Sequence, residues 1–172
     1  MRPLAWTASR RVLAGVIVAT TVVLTACGGG GSGPRPGRPD GAAPVIDAPS
    51  IVEGERVRSA DFVGRGYLVN FWGSWCEPCK RELPRLVGAS ATGTAIVGVA
   101  VRDSDRRARA ALSEVGATWP SASDPEAAIA ATWGVAAGFP VTVAVDRSGT
   151  VRKRHIGELS DADLADLVAL IR

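Results

Sequence analysis

The chain has three cysteines, and two of them enclose a dipeptide in Trp75-Cys76-Glu77-Pro78-Cys79. Sulfurs at this spacing can open and close a disulfide with little backbone movement, provided the first sits at the head of a helix. There the unpaired backbone N–H groups and the helix dipole stabilise a thiolate. Pro78 suits the first turn of such a helix, where its missing N–H costs nothing. Cys76 is therefore expected to be the attacking thiolate that forms a mixed disulfide with a partner. Cys79, one turn in and more buried, is expected to attack Cys76 and release that partner. The other reading of the pair is half of a zinc site. Zinc takes about four Cys, His or carboxylate ligands, and the only histidine, His155, falls at the end of a predicted strand, where a surface role is the plainer expectation. No cofactor and no metal are expected. Glu77, at the mouth, either tunes Cys76 and the choice of partner or is simply solvated.

The elements that must position these sulfurs are legible from apolar patterning. Tyr67 to Trp72 and Thr94 to Val101 are short, continuous apolar runs, suited to strands covered on both faces. Between them, Cys79 to about Ala91 has helical spacing, with Leu83, Leu86 and Val87 on one stripe and Pro84 placed to kink the helix. Asp103 to Val115 reads as an amphipathic helix with Ala108, Ala111, Leu112 and Val115 inward. Asp124-Pro125 looks like an N-cap and first helical position, opening a helix to about Trp133. Val141 to Asp146, an Arg147-Ser148-Gly149 turn and Thr150 to Ile156 predict an antiparallel hairpin. Ser160 can cap a last helix through Leu170, with Asp161 and Asp163 near its positive end. The predicted order, β-α-β-α-α-β-β-α, is an α/β fold with a central mixed sheet and helices on both faces.

The formal net charge of +3 is unevenly spread: Arg2, Arg10 and Arg11 precede Cys27, and all 17 acidic residues follow it. Cutting at Cys27 leaves 20 − 3 = 17 basic residues against 17 acidic ones, a neutral domain. That balance offers no electrostatic case for nucleic acid. A basic start to Arg11, an apolar stretch from Val12 to Val23 and small residues before Cys27 read as a signal peptide. The stretch falls short of the roughly 20 apolar residues of a comfortable membrane span. Leu24-Thr25-Ala26-Cys27 resembles the bacterial lipobox, in which the Cys is acylated and becomes the new N-terminus; an uncleaved anchor is the other reading. Ser9-Arg10-Arg11-Val12-Leu13 partly resembles a twin-arginine export signal. Residues 1–27 are thus expected to be a lipoprotein signal, 28–44 a flexible Gly/Pro/Ser-rich tether and 45–172 the globular domain. It would sit on the extracytoplasmic side of the cell membrane, anchored through lipid on Cys27. A structural disulfide framework would use several well-separated cysteine pairs, and with Cys27 on lipid only Cys76 and Cys79 remain.

The run Asn70-Phe71-Trp72-Gly73-Ser74-Trp75-Cys76-Glu77-Pro78-Cys79-Lys80-Arg81-Glu82-Leu83, then Pro84, Ala95 to Val101, Val145 to Val151 and Ile156 to Ser160, resembles the thioredoxin superfamily. Within it the resemblance is to the TlpA/ResA/CcmG/DsbE-like extracytoplasmic lipoproteins and membrane-anchored proteins, from about Val45 to the C-terminus. It implies a thioredoxin-like fold, Cys76 as nucleophile, Cys79 as resolving thiol, Pro140 as the cis-proline shaping a substrate groove, and Trp75 as a shield over the disulfide. Asn70 stands where cytoplasmic thioredoxins carry a buried Asp, and it cannot exchange a proton. The family instead uses a Glu three residues after the second Cys, where Glu82 stands. Helical geometry supports that role independently, because residues three apart share a face. A partly buried carboxylate beside a thiol titrates upward and can take or return a proton. The plainer reading is a solvated carboxylate paired with Lys80 or Arg85. The segment Trp133 to Pro140 is one residue longer than in the family, and Val141 replaces the acidic residue or Thr common after that proline, which implies a different groove.

The resemblance implies a thiol–disulfide oxidoreductase drawing electrons from a membrane thiol carrier and reducing disulfides of exported proteins, apocytochrome c being the substrate class it suggests. A DsbE-like oxidant would run the same chemistry in reverse, and a metal-binding module on this fold would need a well-placed His that the spacing lacks.

Overall fold

The computed structural model describes residues 41–172; Cys27 and the lipobox lie outside the described residues. A five-stranded sheet forms the centre, built from β3 (Tyr67–Trp72), β4 (Ile96–Val101), β5 (Ser121–Asp124), β6 (Val141–Val145) and β7 (Val151–Ile156) in the order β5-β4-β3-β6-β7. β3, β4 and β5 run parallel, and β6 and β7 are antiparallel to their neighbours. Every residue of β3, β4 and β6 is buried, as continuous apolar runs under cover on both faces require. The expected mixed sheet with helices on both faces is the fold observed.

Alternation along the strands sorts side chains into two cores. Val69, Phe71, Val97, Val99, Val141 and Val143 pack on one face with Ala130 and Trp133. Leu68, Trp72, Ile96 and Ala144 point to the other, together with both sulfurs. That second face is covered by α1 (Glu77–Ala91), α2 (Asp105–Glu114) and α4 (Asp161–Leu170), through Leu83, Leu86, Ala108, Leu112, Leu164 and Leu167. α1 continues through Pro84. Ser160 caps α4 with a reciprocal box in which Asp163 reaches back to the Ser160 amide.

Three features depart from the sequence expectation. A small antiparallel hairpin, β1 (Asp47–Pro49) with β2 (Arg56–Arg58), precedes a short 3₁₀ turn at Ser59–Phe62. In the loop between its strands Ser50 bridges Ala122 and the Ile51 amide donates to the Ser121 carbonyl at 2.9 Å, so this segment covers the β5 edge. Gly41 to Ala43, placed in the expected tether, hydrogen-bond to the β6–β7 turn and its exit: Ala43 N donates to Gly149 O, and Val151 N to Gly41 O. Asp124 ends a strand instead of opening a helix. Its carboxylate still caps α3 (Ala128–Thr132), accepting from the Ile129 amide at 3.0 Å and the Ala130 amide at 2.9 Å. The helix starts late because Ala127 takes a left-handed conformation with φ of 57°.

Removing that cap tests the assignment. Asp124→Ala leaves two amides of α3 without their acceptor in a site only 3% exposed, and should lower unfolding stability by about 1–3 kcal/mol. Urea unfolding measures this; a change within about 0.5 kcal/mol, as at an ordinary surface site, would contradict it.

Candidate active site

β3 ends at Trp72 and α1 begins at Glu77. The four residues between form a tight turn closed by the Cys76 amide donating to the Gly73 carbonyl at 3.1 Å. Cys76 is the N-cap of α1, and its sulfur accepts from the Cys79 amide at 3.3 Å. This places the outer sulfur where the helix concentrates positive potential. The two sulfurs are joined as a disulfide with Cα atoms 5.2 Å apart. Cys76 retains 5% exposure and Cys79 none, so only the first can meet a large partner.

The same helix buries a carboxylate. Glu82 follows Cys79 by three residues on the buried face of α1, a spacing that puts their Cβ atoms about 5–6 Å apart. It is fully buried. Its Oε1 accepts from Asn70 Nδ2 at 2.8 Å, and its Oε2 from the Leu159 amide at 2.9 Å. Asn70 also donates to Thr142 Oγ1 at 3.0 Å. Sheet register explains the grouping: Asn70 and Thr142 are paired neighbours on β3 and β6, and alternation turns both toward α1. Burial pushes the Glu82 carboxyl up to about 7, against the lesser opposing pull of the Leu159 and Asn70 hydrogen bonds.

The solvated reading of Glu82 fails on its would-be partners. Lys80 pairs with Glu77 at 2.5 Å, and Arg85 pairs with Asp161 at 3.1 Å and Glu158 at 3.6 Å. Glu77 itself is 70% exposed in its side chain. Asn70 is more than a group unable to exchange protons. Its amide donates to an ionised Glu82, and a half-turn would present its oxygen to a protonated one.

The Phe139–Pro140 peptide is cis. Pro140 is buried at the entry to β6, and its carbonyl accepts from the Gly157 amide at 2.8 Å. The Phe139 ring packs against both cores and meets the Trp75 indole edge-on, with ring centres 5.6 Å apart. Trp75 is half exposed beside Cys76, and its Nε1 donates to the Val101 carbonyl at 3.0 Å. A Cβ on Gly73 would overlap that indole, so a side chain there would displace Trp75 from its place beside Cys76. His155 is turned to other partners, Nε2 lying 3.3 Å from the Glu158 carbonyl and Nδ1 3.6 Å from Asp163. Among the described residues no group of three His, Cys, Asp or Glu side chains could hold a metal ion.

Sequence reasoning missed two parts of this site. The Leu159 amide is 77 residues from Glu82 and carries no sequence signal. Asp103, expected at the start of a helix, instead turns inward and holds Ser74, accepting from its amide at 2.5 Å and its hydroxyl at 2.9 Å. An acidic residue just past a buried strand was the available clue.

The pH dependence of stability follows with a definite sign. A carboxyl raised from 4.5 to about 7 in the folded state contributes stability that is complete below about pH 4.5 and lost as pH rises through about 7. Glu82→Gln should abolish that loss, worth on the order of 2–3 kcal/mol, in urea unfolding of the oxidised protein between pH 4 and 8. Parallel profiles for the two proteins would contradict the raised value.

Residues 39–171 match the Redoxin family. The chain is 39% identical over 99 residues to the thiol:disulfide interchange protein HelX of Rhodobacter capsulatus, covering 57% of this chain and 56% of that protein. It is 30% identical over 134 residues to the thiol-disulfide oxidoreductase ResA of Bacillus subtilis, covering 73% of this chain and 74% of that one. The match therefore spans little more than half the length of HelX and about three quarters of ResA. A secreted thiol-disulfide isomerase from Corynebacterium glutamicum superposes with a TM-score of 0.63 at 30% identity, covering 73% of this chain and 84% of that one. Its thioredoxin-like sheet, its sulfur pair and these relatives agree: the chain belongs to the Redoxin family, as a thiol–disulfide oxidoreductase of the HelX and ResA type.

Proposed function

We propose that the chain is an extracytoplasmic reductase of disulfides in exported proteins, with Cys76 as nucleophile, Cys79 as resolving thiol, Glu82 as proton acceptor and Pro140 shaping the groove where the partner lies. In the first step the Cys76 thiolate attacks one sulfur of the partner disulfide. The partner's S–S bond breaks, its other sulfur leaves as a thiolate, and a mixed disulfide remains. Cys79 then loses its proton to the Glu82 carboxylate and attacks Cys76. The mixed disulfide breaks, the second partner sulfur leaves, and Cys76 and Cys79 close their bridge. The partner gains two electrons and the chain loses two.

The observation that carries this reading is the fully buried Glu82 on the same buried face of α1 as Cys79, three residues on. A thiol with no access to water needs a proton acceptor inside the protein, and a carboxyl raised to about 7 can exchange its proton at neutral pH. The reductive direction is further supported by the Glu-Pro dipeptide shared with ResA-type proteins. That resemblance points to apocytochrome c as substrate class and a membrane thiol carrier as electron donor. The basic and apolar composition before Cys27 supports export, and the lipobox-like Leu24-Thr25-Ala26-Cys27 supports lipid anchoring at Cys27; the similarity to a secreted protein agrees with export.

Five measurements test this. Cys76→Ser should abolish insulin-disulfide reduction, whereas Cys79→Ser should accumulate mixed disulfides in cells; Cys79→Ser with wild-type turnover would sink the assignment. Glu82→Gln should slow the resolving step by about 10²-fold at neutral pH and remove the rise in rate through pH 7; an unchanged profile excludes proton transfer. The reduction potential should fall below about −250 mV, and a value near −120 mV would make the chain an oxidant of the DsbE kind instead. Radiolabelled palmitate fed to cells should mark the wild-type protein and not Cys27→Ala, and an unlabelled wild-type protein would contradict lipid anchoring.

A further inference from the structure

We propose that Asp103 is a positioning residue whose buried carboxylate clamps the Gly73–Cys76 turn and thereby sets the reactivity of the Cys76 sulfur. The inference rests on the reading of Cys76 as the attacking thiol. The turn lies between two regular elements and belongs to neither. Its inner bond, from the Cys76 amide to the Gly73 carbonyl, closes the turn on itself but fixes it to nothing.

Three hydrogen bonds from two residues of the turn supply that fixing, and all end at or just past the last residue of β4. The Trp75 indole donates to the Val101 carbonyl at 3.0 Å. Asp103 takes both donors of Ser74, the amide on Oδ2 at 2.5 Å and the hydroxyl on Oδ1 at 2.9 Å. Between the two anchors stands Arg102, a non-glycine residue with φ of 51°. Its amide is pinned to the Asp124 carbonyl at 2.9 Å. A left-handed residue other than glycine is uncommon and persists where the surroundings over-determine it. Here it reverses the chain so that the Val101 carbonyl and the Asp103 carboxylate both reach the same turn.

The Asp103 side chain is wholly buried although it carries a carboxylate. Besides Ser74, it accepts from the Ser104 amide at 2.8 Å and lies 3.3 Å from Arg107 Nε. A buried carboxylate is tolerated only when its oxygens are satisfied, so these bonds hold each other in place. One carboxylate thus joins the head of α2 to the turn that carries Cys76. The position of the Cys76 sulfur over the Cys79 amide depends on that turn, and with it the stabilisation of the thiolate.

The test is the pH profile of Cys76 alkylation by iodoacetamide in the reduced protein, followed residue by residue by mass spectrometry, for wild type, Asp103→Ala, Asp103→Asn and Ser74→Ala. Asp103→Ala should lower the Cys76 rate at neutral pH by about tenfold and move its midpoint toward that of a free thiol, since small misplacements cost large factors. Asp103→Asn keeps an acceptor for the Ser74 amide and should stay within about threefold of wild type. Should Asp103→Ala fail to fold, Ser74→Ala and the Ser74→Ala/Asp103→Asn pair carry the test. Each must slow Cys76, and the combined effect must be less than the product of the separate ones. A folded Asp103→Ala protein whose Cys76 profile superposes on wild type overturns the proposal while leaving Cys76 as nucleophile. If wild-type Cys76 already titrates like a free thiol, the reading of Cys76 and the proposal fall together.

Discussion

A carboxylate with no exposed surface must be held by donors, and Glu82 is held by two, Asn70 Nδ2 and the Leu159 amide. The arrangement of the rest of the site follows from that requirement. α1 must lie across the sheet at the height of Asn70, and the loop before α4 must come close enough for Leu159 to donate. Once those constraints are met, Cys79 shares the buried face of α1 with Glu82 and Cys76 is left at the helix head, where it keeps a sliver of exposure. The site is therefore a consequence of burying Glu82 together with its donors among the apolar side chains under α1.

Two effects oppose each other at Glu82. Burial favours the neutral acid, and both hydrogen bonds favour the carboxylate, because each comes from an N–H donor. Burial wins, and the carboxyl stands near 7. Stronger donors would hold it ionised and unable to keep a proton; an apolar pocket with no donors would hold it neutral and unable to accept one. The Asn70 amide, anchored on Thr142, lets the balance fall between. The ionised form costs stability at neutral pH.

Most of the sheet and the sulfur pair was legible because their signals are local. Tyr67–Trp72 and Ile96–Val101 announce themselves as buried strands by unbroken apolar composition, and Pro78 after Cys76 marks a helix head. β5 escaped because Ser-Ala-Ser-Asp has neither apolar character nor β-branched residues, and only the β4 edge makes it a strand. The β1–β2 hairpin escaped because three-residue strands give alternation no room to show. Asp124 is legible as a capping carboxylate but not as a strand residue: it accepts from the Ile129 and Ala130 amides from the end of β5, and the left-handed Ala127, not Asp124, stands at the N-cap. Glu82 could be placed on a face by counting residues. Its burial and partners could not, since they are set by contacts 12 and 77 residues away.

The most direct measurement is the titration of the Glu82 carboxyl itself, by ¹³C chemical shift in the oxidised protein, with Glu82→Gln to assign the signal and Asn70→Ala to perturb it. The account predicts a midpoint near 7, moving upward when the Asn70 donor is lost, because that hydrogen bond favours the charged form. A midpoint near the ordinary 4.5, indifferent to Asn70, would mean the carboxylate is solvated in solution and the central claim is wrong.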